Sequence, residues 1–475
     1  MTFERDKRAF GRRRFLTGAV SIGAALPRFD LSAQDTQPTP VPTRIQTPDL
    51  AFAAPLQELR TSWARANPGA RLILSVVPAE SSSDSLLEDA RSGRNQFAGA
   101  LVPNWLIPDL ARESLIRTTS PPPAPIPEPI AQIRSFGGEW VTTDLDHDCD
   151  VLYFRRDLLD ALGFSPAETW DELIDQGRAL VNSGVGGVGT PSSHAQQVVD
   201  HFASVAISYA LTDRESSGFW FDPETMSPAI DSEEHQRALE CYLELCRTMP
   251  VTMRQGSTGD LWNGFLEGAI AYLIGSTDFL PYAVSQFAVT ESLGVSQLPG
   301  VIGADGSIVR AGNVTGASWG GVVMSSADEQ ASAETGAFLG SLAGAQTQFG
   351  LVADWSSGIS PAPVSIDDVN TIAAFLGEHD WPTQTTHAWL RASYDTYVHP
   401  MQLPALRIAE TRRYLQALEN RVVPFLNGEV DSARDVLAAA ADDWSSINEA
   451  IGTETQRTLY VASLMQPPRG EHSGR

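Results

Sequence analysis

Between residues 140 and 173 the hydrophobic period of the chain changes from two to that of a helix, and no other stretch restricts its fold as strongly. Asp144, Asp146, Asp148 and Asp150 alternate with Leu145, His147 and Cys149, which predicts an extended segment. The apolar run Val151-Leu152-Tyr153-Phe154 then carries that segment into a core. Residues 155–162 predict a short helix stopped by Gly163. Thr169 is placed as the N-cap of the next helix, and Glu172 three residues later completes a capping box. The block therefore reads as strand, helix, turn and second helix start.

Residues 1–33 read as an export address and are set apart from the fold. Arg12-Arg13-Arg14-Phe15-Leu16 fits the twin-arginine pattern R-R-x-F-L, a mildly apolar run follows over 17–26, and Leu31-Ser32-Ala33 offers a small-residue cleavage site. The apolar run is well short of the roughly 20 residues that span a bilayer. No cysteine lies near the cleavage region, so no lipid anchor is expected. The reading is a periplasmic or extracytoplasmic protein exported after folding. The three cysteines, Cys149, Cys241 and Cys246, make no disulfide framework and read as small apolar residues. Net charge is −25, and residues 1–33 hold seven basic and three acidic side chains, which leaves −29 on the remainder. Such a surface excludes nucleic acid as a partner. Lys7 is the one lysine in the chain, so lysine Schiff-base chemistry, a pyridoxal phosphate lysine and a P-loop are excluded from the folded part, and no cofactor is expected.

A Pro-, Thr- and Gln-rich linker at 34–48 is expected to be disordered, as is a tail at 464–475. The roughly 420 residues between exceed what one core usually serves, so two domains are expected. Residues 50–66 predict an amphipathic helix with Leu56, Leu59 and Trp63 on one face. Asn67-Pro68-Gly69 turns the chain into a strand at 71–77, followed by a helix at 86–93 and a strand at 97–102. Further on, helices are expected at 195–211, 233–247 and 331–342, with a buried strand over 269–274.

Leu152-Tyr153-Phe154-Arg155-Arg156-Asp157-Leu158 and Pro166-Ala167-Glu168-Thr169-Trp170-Asp171-Glu172-Leu173 resemble the crossover segment of the extracytoplasmic solute-binding proteins of ABC importers, in the maltose-type family 1 branch. Trp262 with the F-L-E-G-A-I-A run after it, the G-V-S-Q-L-P-G run at 294–300 and Ser318-Trp319-Gly320-Gly321 are similar to later segments of that family, in the same order. The resemblance extends over residues 50–460. It implies an α/β, two-lobed periplasmic-binding-protein-like (type II) fold, with a sheet in each lobe and a ligand cleft between them. The first lobe would comprise 49–143 with 299–343, and the second 144–298 with 344–463. It implies a monomer that takes up a small solute, a sugar or polyol above all, and delivers it to ABC permease subunits without catalysis.

Seven residues are the candidate ligand contacts. Asn104 and Trp105 follow a predicted strand at its C-terminal edge, where open α/β sheets bind ligands. Asp144 and Asp146 lie just before the L-Y-F run, where the residues of the resembled family face the ligand, and Trp319 sits at the return to the first lobe. Trp355 is a further stacking platform, and Asp278 stands where relatives carry an aromatic near the cleft, which argues against a plain maltodextrin. Period-two spacing puts the four aspartates on one strand face, either solvated or turned to the cleft, where they would also admit an amine-bearing or cationic solute. Paired carboxylates keep a periplasmic glycoside-active enzyme as the alternative. A calcium loop fails, because Cys149 and Arg155 occupy the positions that need Gly and a bidentate Glu. Residues 316–320 are not read as a nucleophile elbow, and no metal site is expected.

Overall fold

The computed structural model describes residues 42–467, apart from 123–125, 195–197, 211–215, 287–291, 314–317, 361–365 and 404. The expected leader at 1–33, residues 34–41 of the expected linker and residues 468–475 of the expected tail lie outside the described residues. The described strands are β1 (Arg44–Pro48), β2 (Ile73–Val77), β3 (Gly99–Pro103), β4 (Ser135–Phe136), β5 (Glu139–Trp140), β6 (Thr143–Asp144), β7 (Asp150–Arg155), β8 (Gly186–Gly189), β9 (Ile270–Ser276), β10 (Leu293–Ser296), β11 (Val301–Ile302), β12 (Ile308–Val309) and β13 (Trp319–Val323). One sheet has the order β2-β1-β3-β13-β6 and the other β10-β7-β9-β8, so the fold is two-lobed α/β with a sheet in each lobe. No described helix is long and apolar enough to cross a membrane.

The first sheet corrects the linker expectation. β1 falls inside the segment expected to be disordered, yet it runs parallel to β2 on one side and β3 on the other. Its Ile45, Gln46 and Thr47 are buried, and the Gln46 amide donates to the carbonyl of Ser82 at 2.6 Å. Composition suggested a solvated segment, but pairing on both edges satisfies its backbone and outweighs the weak local preference. The helix after β2 runs from Ala79 to Arg91, starting well before the expected 86, because Ser82 and Ser83 are buried in this lobe instead of forming a loop.

In the second sheet all six residues of β7 are buried, between antiparallel β10 and β9. The helix Trp170–Asn182 opens with the expected box: Glu172 N–H donates to the Thr169 hydroxyl at 3.2 Å, and Thr169 N–H to the Glu172 carboxylate at 3.3 Å. Its Trp170 is buried and donates to the Ser208 hydroxyl at 2.8 Å, joining it to the helix Val198–Ala210. One apolar cluster runs through both lobes. It holds Ile45, Leu101 and Val323 of the first sheet, Val151, Tyr153 and Leu273 of the second, and Leu145 and Cys149 between them.

Candidate functional site

The chain passes from the first sheet to the second in residues 145–149. β6 ends with Asp144 opposite Gly320 of β13, and β7 begins with Asp150 opposite Ser276 of β9. The four aspartates therefore do not share one strand face, which corrects the period-two expectation. Burial of Leu145 and Cys149 pulls the backbone out of a regular ladder, and other bonds hold it: Asp146 N–H to Trp319 O at 3.2 Å, Asp150 N–H to Asn313 O at 3.3 Å, Thr277 N–H to Cys149 O at 3.0 Å, and the Tyr397 hydroxyl to the carbonyl of His147. None of the four is exposed, so a solvated face is absent as well.

Each carboxylate has a different set of partners. Asp144 sits 2.7 Å from the Arg134 guanidinium and 3.0 Å from His147 Nε2. Burial opposes its ionisation, but His147 and Arg134 outweigh burial and hold the carboxyl below its ordinary range. Asp146 accepts from the Ser360 N–H at 2.9 Å, while Asp148 accepts from the Ser360 hydroxyl at 2.6 Å and the Thr277 hydroxyl at 3.3 Å. Burial pushes both carboxyls up, and the charge of Asp148 adds to the effect at Asp146. Asp150 is 1% exposed; its Oδ2 accepts from the Ser204 hydroxyl at 2.5 Å and the Asn313 amide at 3.4 Å. Its Oδ1 has no hydrogen-bond donor, and His201 Nε2 is 3.9 Å away, too far for one.

Asp148 and Asp150 line a cavity of about 260 Å³. Asp200 and His201 enter it from the helix Val198–Ala210, Asp278 from the turn after β9, and Thr258, Leu261 and Trp262 from the helix Thr258–Leu266. Burial, then the charge of Asp148, pushes the Asp278 carboxyl up to about 8. Burial, then Asp150, pushes Asp200 up to about 6. Asp278 Oδ1 also lacks a hydrogen-bond partner. Among the described residues lining the cavity there is no Arg or Lys, and His201 is the one group that can become cationic.

Of the seven candidate contacts, Asp278 alone lines this cavity. Asn104 is buried directly after β3, its N–H donating to Ser318 O at 3.1 Å. The ring of the half-buried Trp105 carries the Arg412 guanidinium 5.6 Å from its centroid. Trp319 meets Phe52 edge-on at 5.7 Å, and Trp355 is 53% exposed. Asp144 and Asp146 are engaged by the partners already described and do not meet at one point. Sequence reasoning missed Asp148 and Asp150 as cavity residues, and with them Asp200, His201 and Trp262. One signal was available: Asp200-His201 interrupts a helix whose other residues are mostly apolar and, Tyr209 apart, buried.

Among the described residues no group of three or more His, Cys, Asp or Glu side chains converges as metal ligands. Residues 316–320 spell G-A-S-W-G and so have the letters of G-x-S-x-G. Ser318 is nevertheless fully buried and Trp319 opens strand β13, whereas an elbow needs a strand-to-helix turn.

Two sheets in separate lobes, joined by a crossover with a cavity beside it, define a two-lobed α/β binding fold. The family model of the bacterial extracellular solute-binding proteins matches residues 46–349, and the chain belongs to that family. No curated protein matches. Among solved structures, maltose-bound MalE3 of T. maritima is 15% identical with a TM-score of 0.67, covering 85% of this chain and 100% of that one. An ABC transporter solute-binding protein of Agrobacterium vitis with bound D-mannitol is 15% identical, TM-score 0.62, over 86% and 99% of the two chains. One from Agrobacterium radiobacter in complex with ribitol is 16% identical, TM-score 0.64, over 86% and 100%.

Proposed function

We propose that this chain is the substrate-binding component of an ABC importer, which captures a small polyhydroxylated solute between its lobes and delivers it to the transmembrane subunits of a permease. The observation that carries this reading is the family match, which begins in β1 and runs through both passages between the sheets. Structures of the same fold that hold maltose, D-mannitol and ribitol support a carbohydrate or polyol as the solute class. The lobes divide near 143–144 and 298–299, with the return to the second lobe at 343–344. A solute that touches both lobes favours the closed form by its differential affinity, and that form docks on the permease. The protein acts as a monomer and without catalysis. Asp278 lies nearest the solute, Trp105, Trp319 and Trp355 offer apolar ring faces, and Asn104 with Asp144 and Asp146 orders the edges around them. Residues 1–33 direct export by the twin-arginine route, without a lipid anchor.

A thermal-shift series with maltose, D-mannitol, ribitol and their monosaccharide relatives, neutral and aminated, tests this reading. A ligand at 100 times its Kd adds about 2.7 kcal/mol and moves the melting point measurably. A shift with one solute class, reduced in Trp105→Ala, is the expected result. The absence of a shift with every member of the series overturns it.

A further inference from the structure

The aspartates of the first passage between the sheets are bonded to the later passages. A second passage runs from β10 to β13 and contains Asn313. A third contains Ser360 and lies between the helix Glu329–Leu342, which packs on β13, and the helix Thr383–Tyr397, whose Thr385 hydroxyl donates to Leu293 O of β10 at 2.9 Å. From this network we infer that Ser360 and Asn313 are positioning residues for solute capture: they tie the three passages together through the crossover aspartates and so set the angle between the lobes, and a proton on the Asp146 and Asp148 pair tightens that tie. The inference goes beyond the solute-binding reading, on which it rests for its function.

Ser360 staples two carboxylates of the first passage. Its N–H donates to Asp146 Oδ1 at 2.9 Å and its hydroxyl to Asp148 Oδ1 at 2.6 Å, while Gln348, also of the third passage, donates to Leu145 O at 3.3 Å. Asn313 closes the other side, accepting from Asp150 N–H at 3.3 Å and donating its amide to Asp150 Oδ2 at 3.4 Å. Ser360 and Asn313 are both buried, so water does not compete for these bonds. Lobes that close on a solute turn about a few residues that absorb the backbone change. Here those residues are bonded to one another across the passages, so no passage swings by itself, and the freedom of the lobes depends on how firmly the carboxyls hold.

Two ionised carboxylates on one serine repel each other. Among the described residues no Arg or Lys forms an ion pair with Asp146 or Asp148, since Arg134 and His147 are taken by Asp144. A proton held on one member of the pair removes the repulsion. Burial pushes both carboxyls up, the charge of Asp148 adds to the effect at Asp146, and Asp278 adds its own charge as pH rises through about 8. The other groups that face the pair are Cys149, Asp150 and Tyr153 along the chain, Tyr397 of the helix Thr383–Tyr397, and Asp200 and His201 of the helix Val198–Ala210 across the cavity. Because the carboxyls titrate higher in the folded than in the unfolded chain, the tie is complete at low pH and weakens as pH rises.

The experiment is electron–electron resonance between nitroxides on the unliganded full chain, attached through Ser62→Cys in the helix Ala53–Ala66 and Glu240→Cys in the helix Glu233–Thr248, both exposed positions. The native cysteines are buried and stay unlabelled. At pH 5 one narrow distance distribution is expected. At pH 9 the share of molecules at that distance should fall by about half or more, which raises the apparent Kd of a solute that bridges the lobes in the same proportion. Ser360→Ala should be broad at both pH values, whereas Asp148→Asn, which keeps an acceptor for the Ser360 hydroxyl and lacks the charge, should stay narrow at both. A wild-type distribution that does not change with pH overturns the inference, as does Ser360→Ala as narrow as the wild type, or Asp148→Asn as broad as the wild type at pH 9. Should Ser360→Ala lose its cooperative melting, the wild type and Asp148→Asn decide the question between them. Each of these failures leaves the solute-binding reading standing, because the thermal-shift series tests that reading independently.

Discussion

At the scale of single residues, the four crossover aspartates were visible in the sequence, but their separate surroundings were not. Alternation predicts a shared face only if the ladder continues, and residues 145–149 interrupt it because Leu145 and Cys149 are drawn into the core. Asp144 thereby acquires Arg134, ten positions earlier, and Asp150 acquires Ser204 and Asn313 from remote segments. No local pattern encodes those partners. The buried carboxyls also make stability depend on pH. In the unfolded chain Asp278 titrates near 3.8, whereas in the folded protein it titrates at about 8, and Asp200 at about 6. The folded state therefore holds protons that the unfolded state has lost. Their contribution is fully present below about pH 4 and disappears as pH rises through 6 and then 8. The unliganded protein should melt at a lower temperature at pH 8 than at pH 5. Scanning calorimetry of the wild type and Asp278→Asn across that window should give a flatter slope for the variant, and identical slopes would mean that Asp278 keeps an ordinary carboxylate pKa.

Among the elements, those with strong local chemistry were legible. The Thr169 and Glu172 box appears where the letters placed it, with both reciprocal bonds made. Replacing Thr169 by Ala removes an acceptor for the Glu172 N–H and should cost about 1 kcal/mol, read from the urea midpoint at unchanged slope. β1 was not legible. Its sequence, R-I-Q-T-P, carries too little hydrophobic alternation to stand out, and it becomes a strand because β2 and β3 present free edges on both sides. A chain that starts at Pro42 should fold, while one that starts at Asp49 lacks a central strand and leaves those two edges unpaired. Soluble yield and circular dichroism of the two chains decide this, and a well-folded chain from Asp49 would show that β1 is dispensable.

For the molecule as a whole, fold and export route bear on each other. Two sheets linked by repeated passages of the chain need long-range pairing to be complete before either lobe is stable, and the apolar cluster that includes Leu145 and Cys149 couples the lobes as they form. Nothing in the described chain needs an oxidising compartment for that. Cys149, Cys241 and Cys246 are free and buried, and burial pushes the thiols of Cys241 and Cys246 up to about 12, which keeps them unreactive. Such a protein can complete its fold in a reducing cytoplasm, which the export route proposed for the letters R-R-R-F-L at 12–16 requires. Changing Arg12 and Arg13 together to Lys keeps the leader's charge but removes the paired guanidinium groups. Fractionation of cells producing that double variant should find the protein folded and protease-resistant in the cytoplasm, with none outside the inner membrane. Undiminished export of the variant would assign residues 1–33 to a pathway for unfolded chains, and folding would then take place after the membrane is crossed.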